Sequence, residues 1–407
     1  MFLKIEIQHH FCYNKIIIES NGCCMNKLYN KQFNITSEFS QFLEKYIPSL
    51  RKTQLNFMPS ILYGMIKSKS LVAKDIALEL NDELRYAKLD SVTKRINRFF
   101  SNSNFNPYDF WDDFIKVIIN NYKCKHDNKK VHITFDHMFS LENYTVFMMS
   151  MRIGAQGIPI YFQTFKNKCS DAFKLKVILN GIKYVSNLFS DEYELIFLAD
   201  RWFNSTEIMN YIESLGHTYC IRLKGNVSVY NDNVKTKAKK LKKRKYHAVV
   251  HRDVYITDNR FKSNIVISKS IDCSTPWIIA TNNDVEHAVH NYSFRFGAVE
   301  CIFKNQKSNG FNLEKISNAS LETFTAKYTL CCVAITYLTA LGTDYAKNTK
   351  CYRNCRFETH KVYIREDGVR LKKRILSLFQ TGLTLFTLAL NSCDYVRLSF
   401  SFKIYDI

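Results

Sequence analysis

Residues 171–200, DAFKLKVILNGIKYVSNLFSDEYELIFLAD, decide the fold class. The first part, 171–189, is helical in pattern, and ELIFLAD at 194–200 reads as a fully buried strand ending on Asp200. A helix feeding so apolar a strand belongs to an α/β sheet covered by helices. Upstream, HITFD at 132–136 predicts a short strand ending on Asp136. Residues 143–165, NYTVFMMSMRIGAQGIPIYFQTF, predict two more strands joined by a turn at Gly154–Gly157. Downstream, STEIMNYIESLG (205–216) predicts a helix with a serine cap and a glycine stop, and HTYCIRLKG (217–225) another strand. Together these make a mixed sheet flanked by helices.

The chain has 407 residues, 46% of them apolar and 14% aromatic, enough for a substantial core and for one large domain or two to three modules. It carries 58 Lys and Arg against 37 Asp and Glu, a formal charge of +21. That excess favours a polyanionic partner, because each phosphate contacted releases condensed counterions. No basic amphipathic helix suits a membrane surface, and no signal-peptide core opens the chain. The most apolar window, YTLCCVAITYLTALG at 328–342, is shorter than the ~20 residues a bilayer span needs and predicts a buried core helix. The 13 cysteines show no extracellular spacing, so reduced thiols in a cytoplasmic protein are expected. Cys351, Cys355 and His360 resemble zinc ligands but lack a fourth member.

Six segments follow from shifts in texture. Residues 1–36 form an uncertain extension, with a possible start at Met25. Residues 37–123 are helical, and Lys94, Arg95 and Arg98 face outward from SVTKRINRFFSN, as in a small DNA-binding module; a plain helical packing domain is the alternative. Residues 124–225 hold the strands above, and 226–290 form a β-rich insertion with the basic run KTKAKKLKKRK (235–245), which includes Lys242, Lys243 and Arg244. Such a run is a solvated loop or a non-specific contact to a nucleic-acid backbone. Residues 291–350 return to helix, and 351–407 close the chain with a strand-like piece and the expected helix RLKKRILSLFQTGLTLFTLAL.

NYSFRFGAVECIFKNQKSNGFNLE, residues 291–314, places Tyr292, Arg295, Glu300 and Lys307 in one expected helix. Glu300 and Lys307 are seven apart and share a face. A strand-end Asp taken singly is most often a turn cap, and a charged helix taken singly is most often a solvated face. Three acids delivered by two strands and a helix are different. Two carboxylates on neighbouring strands repel unless a cation lies between them. Hard Mg2+ prefers such oxygen ligands, and a third acid completes a site for two ions. Metal-dependent phosphoryl transfer on nucleic acid is the chemistry this set implies.

The same residues resemble the DDE transposases of bacterial insertion sequences. FDHMFS carries the first Asp, and Leu198-Ala-Asp-Arg-Trp-Phe203 resembles the block around the second. Tyr292, Arg295, Glu300 and Lys307 resemble the family's Tyr-Arg-Glu-Lys signature. GIPI (157–160), YCIRLKGN (219–226) and IATN (279–282) are similar to further blocks, so the likeness runs from about 40 to 390. There are two departures: four residues separate Arg295 from Glu300 where the family has three, so either the helix starts after Gly297 or Arg295 departs from the family role, and Trp202 replaces a small residue.

The resemblance implies a ribonuclease-H-like, retroviral-integrase-like core, with a β-rich insertion before the catalytic Glu helix and an N-terminal helical domain. It implies Asp136, Asp200 and Glu300 as catalytic metal ligands for Mg2+, with Mn2+ able to substitute. Tyr292, Arg295, Lys307, Lys304, Arg201 and the basic residues named above would contact DNA. The expected activity is binding of terminal inverted repeats, metal-dependent strand cleavage and strand transfer by the freed 3′-hydroxyl, without a covalent protein intermediate. A homodimer pairing two ends of double-stranded DNA is expected, in the cytoplasm and on the nucleoid. The alternatives are a purely hydrolytic nuclease and a DNA-binding derivative without catalysis.

Overall fold

The computed structural model describes residues 24–80, 84–85, 87–122, 129–140, 143–231, 234–244, 247–268, 275–283, 285–316, 319–364, 369–391 and 398. The possible start at Met25 bears on 1–23, which lie outside them, as do residues 123–128 and Lys245.

Five strands form the heart of the sheet: β1 (Lys130–Ser140), β2 (Tyr144–Ile153), β3 (Gln156–Lys166), β4 (Glu194–Ala199) and β5 (Thr218–Arg222). Their order is β3-β2-β1-β4-β5. The first three are antiparallel, while β4 runs parallel to β1 and β5 parallel to β4. That is the ribonuclease-H-like arrangement expected above. The parallel pairs need crossovers. Helix Asp171–Leu188, capped by Ser170, leads from β3 to β4, and helix Thr206–Ser214, capped by Ser205, leads from β4 to β5.

The sheet does not end at β5. Its free edge pairs with β10 (Trp277–Thr281), followed by β9 (Phe261–Ser268), β8 (Val249–Ile256), β6 (Ser228–Asn231) and β7 (Val234–Lys237), every pairing antiparallel. Residues 226–290 therefore continue the sheet to ten strands. The reason lies in β10, where Ile278, Ile279, Ala280 and Thr281 are all buried. A strand covered on both faces belongs inside a sheet.

Three local expectations are corrected. β1 runs past Asp136 to Ser140, because β2 supplies partners from Asp136↔Met148 through Ser140↔Tyr144. RLKKR, expected as the start of a helix, is instead strand β12 (Arg370–Arg374), paired with β11 (His360–Ile364); the helix begins at Leu378. The 291–314 helix is broken in two, as described below.

Helix Leu321–Lys347 is the hub of the molecule. It packs against β3, against the N-terminal helices Lys52–Ser68, Leu89–Phe100 and Pro107–Asn120, and against the C-terminal helix Leu378–Asn391. At 27 residues it is long and apolar enough to cross a membrane, yet its most apolar stretch is wholly buried in this fold. Where it crosses the C-terminal helix, Gly342 and Gly382 face each other, and a Cβ on either would overlap the opposite helix's backbone carbonyl. An N-terminal helix, Cys24–Tyr46, runs through the boundary expected at residue 36.

Candidate active site

The parallel register of β1 and β4 ends at Phe135↔Ala199, so the next residues, Asp136 and Asp200, emerge side by side on the face opposite Phe135. Each is anchored by its own backbone. Asp136 Oδ1 accepts from the His137 N–H at 2.8 Å, and Asp200 caps the turn Arg201–Phe203 by accepting from the Arg201 N–H. Behind them, Phe203 packs edge-on against Phe135 and stacks on His137, with ring centroids 4.9 and 5.1 Å apart. The two carboxylates thus stand on a stiff aromatic footing.

Glu300 arrives from a bent segment. One helix spans Ala288–Ser293, a second spans Val299–Gln306, and a turn at 294–298 separates them. Gly297 holds φ at +86°, a left-handed value that suits glycine, and a Cβ there would lie 2.8 Å from the Ala155 carbonyl oxygen. A Cβ on Gly157 would likewise crowd the Ala298 backbone at 3.1 Å. Arg152, at the end of β2, donates to the carbonyls of Phe294 (2.5 Å) and Phe296 (2.8 Å) and covers the Phe294 ring. The extra residue between Arg295 and Glu300 is absorbed in this turn, and Glu300 starts the second helix, where the helix dipole favours an acid.

Arg295 ends in the middle of the acids. Its Nη2 lies 3.4 Å from Asp136 and 3.5 Å from Asp200, and its Nη1 lies 3.1 Å from Glu300. The side chain is only 7% exposed, and its Nε is buried without a hydrogen-bond partner. One guanidinium balances one of the three carboxylates and leaves two negative charges over. Burial, with help from Asp200 and Glu300, raises the Asp136 pKa against the opposing pull of Arg295. The site lacks positive charge.

Three carboxylates whose charge exceeds the cation among them suit a hard divalent ion. As they stand they are spread around the guanidinium, and among the described residues no three His, Cys, Asp or Glu side chains are close enough to hold a metal. An ion shared by Asp136, Asp200 and Glu300 would take the place that the Arg295 guanidinium holds. Of the zinc set expected as an alternative, Cys355 is buried, and the side chain of Cys351 lies outside the described ones.

The other expected site residues fall into two groups. Arg201 and Lys304 are exposed beside the acids in sequence, and Lys94, Arg95, Arg98, Lys242, Lys243 and Arg244 are exposed at a distance along the chain. Trp202 is 77% exposed, with Lys224 Nζ 5.4 Å from the centre of its ring. Tyr292 and Lys307 do not present themselves to a phosphate. Tyr292 is wholly buried, edge-on to Trp277 at 5.2 Å, and Lys307 follows the helix end and pairs with Glu314 at 3.1 Å. Sequence reasoning missed Arg152 and the His132–Asn291 contact at 3.1 Å, which joins β1 to the helix before the turn. A lone arginine at the end of the apolar run MMSMRIG was the available signal for the first.

A ribonuclease-H-like sheet with acids on two adjacent strand positions and on a following helix defines a class of phosphoryl-transfer cores. A family profile described as "Transposase DDE domain" matches residues 113–337, more than half the chain and all three acids. The chain belongs to that family. Among solved structures, Argonaute of Marinitoga piezophila, in complex with 5′ OH guide RNA and target DNA, matches at 14% identity and a TM-score of 0.23. The match covers 46% of this chain and only 30% of that one, and a likeness this slight carries no argument. No curated protein matches the sequence.

Proposed function

We propose that this chain is the transposase of a mobile DNA element, binding the element's terminal inverted repeats and catalysing strand cleavage and strand transfer. The convergence of Asp136, Asp200 and Glu300 on one guanidinium carries this reading, since it brings side chains from three separated segments to one point. Asp136, Asp200 and Glu300 would hold Mg2+, or Mn2+ in its place. When bound, such ions stabilise charge on the attacking and leaving oxygens of a phosphodiester.

The chain's own residues do the rest. The stacked Phe203 and His137 keep Asp136 and Asp200 from splaying. Arg152 and Gly297 fix the angle at which Glu300 enters. Arg295, once released from the acids, has a guanidinium free to take a phosphate's two oxygens. Arg201 and Lys304 stand ready as exposed cations for the DNA backbone, and Tyr292 with Trp277 supports the floor from within. Helical residues 37–123, through Lys94, Arg95 and Arg98, and the exposed Lys242, Lys243 and Arg244 supply further duplex contacts. Two copies would pair the two ends in a cytoplasmic, nucleoid-bound complex.

The test is Asp200→Asn with terminal-repeat DNA. Mg2+-dependent cleavage should fall by about a thousandfold, equivalent to roughly 4 kcal/mol of lost transition-state stabilisation, while DNA binding persists. Cleavage at the wild-type rate removes the assignment. Joining of a labelled end to target DNA separates transposition from plain hydrolysis.

A further inference from the structure

Strands β11 and β12 form a two-stranded sheet of their own, apart from the ten-stranded one. Their register sets Lys361 opposite Lys373, Val362 opposite Lys372, Tyr363 opposite Leu371 and Ile364 opposite Arg370. Alternation along each strand places Val362, Ile364, Arg370 and Lys372 on one face and Lys361, Tyr363, Leu371 and Lys373 on the other. All eight are exposed, with Val362 at 61% and Ile364 at 68%. The ten strand residues include five Lys or Arg and no acid.

This is a poor design for a ribbon facing water alone. Two strands without a third are marginal, and like charges directly opposite each other destabilise the pairing. Desolvation first, then neighbouring Arg374 and Lys372, lower the basicity of His360, so cations already crowd one another here. Both liabilities vanish against a polyanion. Phosphates would neutralise the cations, and the aliphatic side chains would meet sugars and base edges. A second copy of the chain fits worse, because it would set Lys and Arg against Lys and Arg, the residues that discourage edge-to-edge pairing. The major groove of B-DNA, roughly 12 Å wide, admits a two-stranded β-ribbon.

We propose that residues 360–364 and 370–374 form a DNA-binding ribbon that enters a duplex groove, with Lys361, Arg370, Lys372 and Lys373 on phosphates and Val362 and Ile364 against the groove wall. The proposal rests on the chain acting on DNA, and adds a contact surface in a region where the sequence marked none.

The full chain and its K361Q/R370Q/K372Q/K373Q variant should be titrated with a terminal-repeat duplex at several salt concentrations, with fluorescence anisotropy as readout. Each lost phosphate contact lowers the slope of log K against log salt by about 0.9. A fall of about 2–4 in slope, with at least tenfold weaker binding near physiological salt, is expected, and circular dichroism should show the fold unchanged. A second variant, V362T/I364T, should weaken binding severalfold with the slope unaltered. Wild-type affinity and slope in both variants would overturn the ribbon while leaving the transposase reading intact. Wild-type protein that binds no duplex at all would overturn both. Full cleavage by Asp200→Asn would count against the transposase reading alone.

Discussion

Arg295 and Glu300 are five positions apart and still form a 3.1 Å ion pair, because the chain turns at Gly297 between them. On an uninterrupted helix, five residues carry a side chain about 140° around the axis. The left-handed glycine removes that offset and lets the guanidinium reach back to Glu300 and onward to Asp136 and Asp200. A signature one residue too long thereby gathers three acids on one guanidinium.

Replacing Arg295 by Gln should therefore separate two properties that usually move together. Without metal, the variant leaves three carboxylates with no cation among them and should be less stable. The loss should be about 1–3 kcal/mol, below the 3–5 typical of a fully buried pair because the acids keep some water. With Mg2+ present, the acids no longer compete with a resident guanidinium, so the melting temperature should rise more than in wild type. Thermal melts with and without Mg2+ read both effects. An identical Mg2+ response in the two proteins would remove the idea that Arg295 stands in the ion's place.

Gly297→Ala should cost about 1–2 kcal/mol, through the strain of φ +86° and the approach to the Ala155 carbonyl. Because the turn sets the entry of Glu300, cleavage should fall by more than stability alone explains. Urea unfolding and single-turnover cleavage of the same preparation test this. A stability loss with unimpaired cleavage would show that Glu300 does not depend on this turn.

The pH response follows from two imidazoles. Burial lowers the pKa of both His132 and His137 to about 4, so both are neutral in the native protein near pH 7. In the unfolded chain they take up protons around 6.5. Protons therefore favour the unfolded state as pH drops from about 6.5 toward 4, and stability should decline across that window. A His132→Gln, His137→Gln double variant should show a flatter profile in urea melts at pH 7.5, 6 and 5. A decline as steep as wild type would assign the acid sensitivity to other groups.

The sequence made the strands and the acids legible for a plain reason: LIFLAD (195–200) and HITFD (132–136) are short runs whose one acid sits where the run meets the site. The extra residue between Arg295 and Glu300 left two choices, a helix starting after Gly297 or an Arg295 moved from the family role, since a lone glycine within charged helical spacing also fits an unbroken helix. RLKKR misled because Arg, Leu and Lys favour helix in isolation, and only pairing with HKVYI makes it a strand. The continuation of the sheet through β10 depends on strand pairings such as Ile279↔Arg222, between residues far apart in sequence. The Arg295 contacts are of the same kind. Long-range pairings leave no local trace.

A last consequence belongs to the ten-stranded sheet. Seven strand-to-strand steps lead from β1, which bears Asp136, to β7 at the far edge. At about 4.8 Å per step that is roughly 34 Å, close to one full turn of a DNA double helix. The hydrogen-bonded sheet is thus a ruler: DNA held along the edge strand β7 would meet the acids again about one helical turn away.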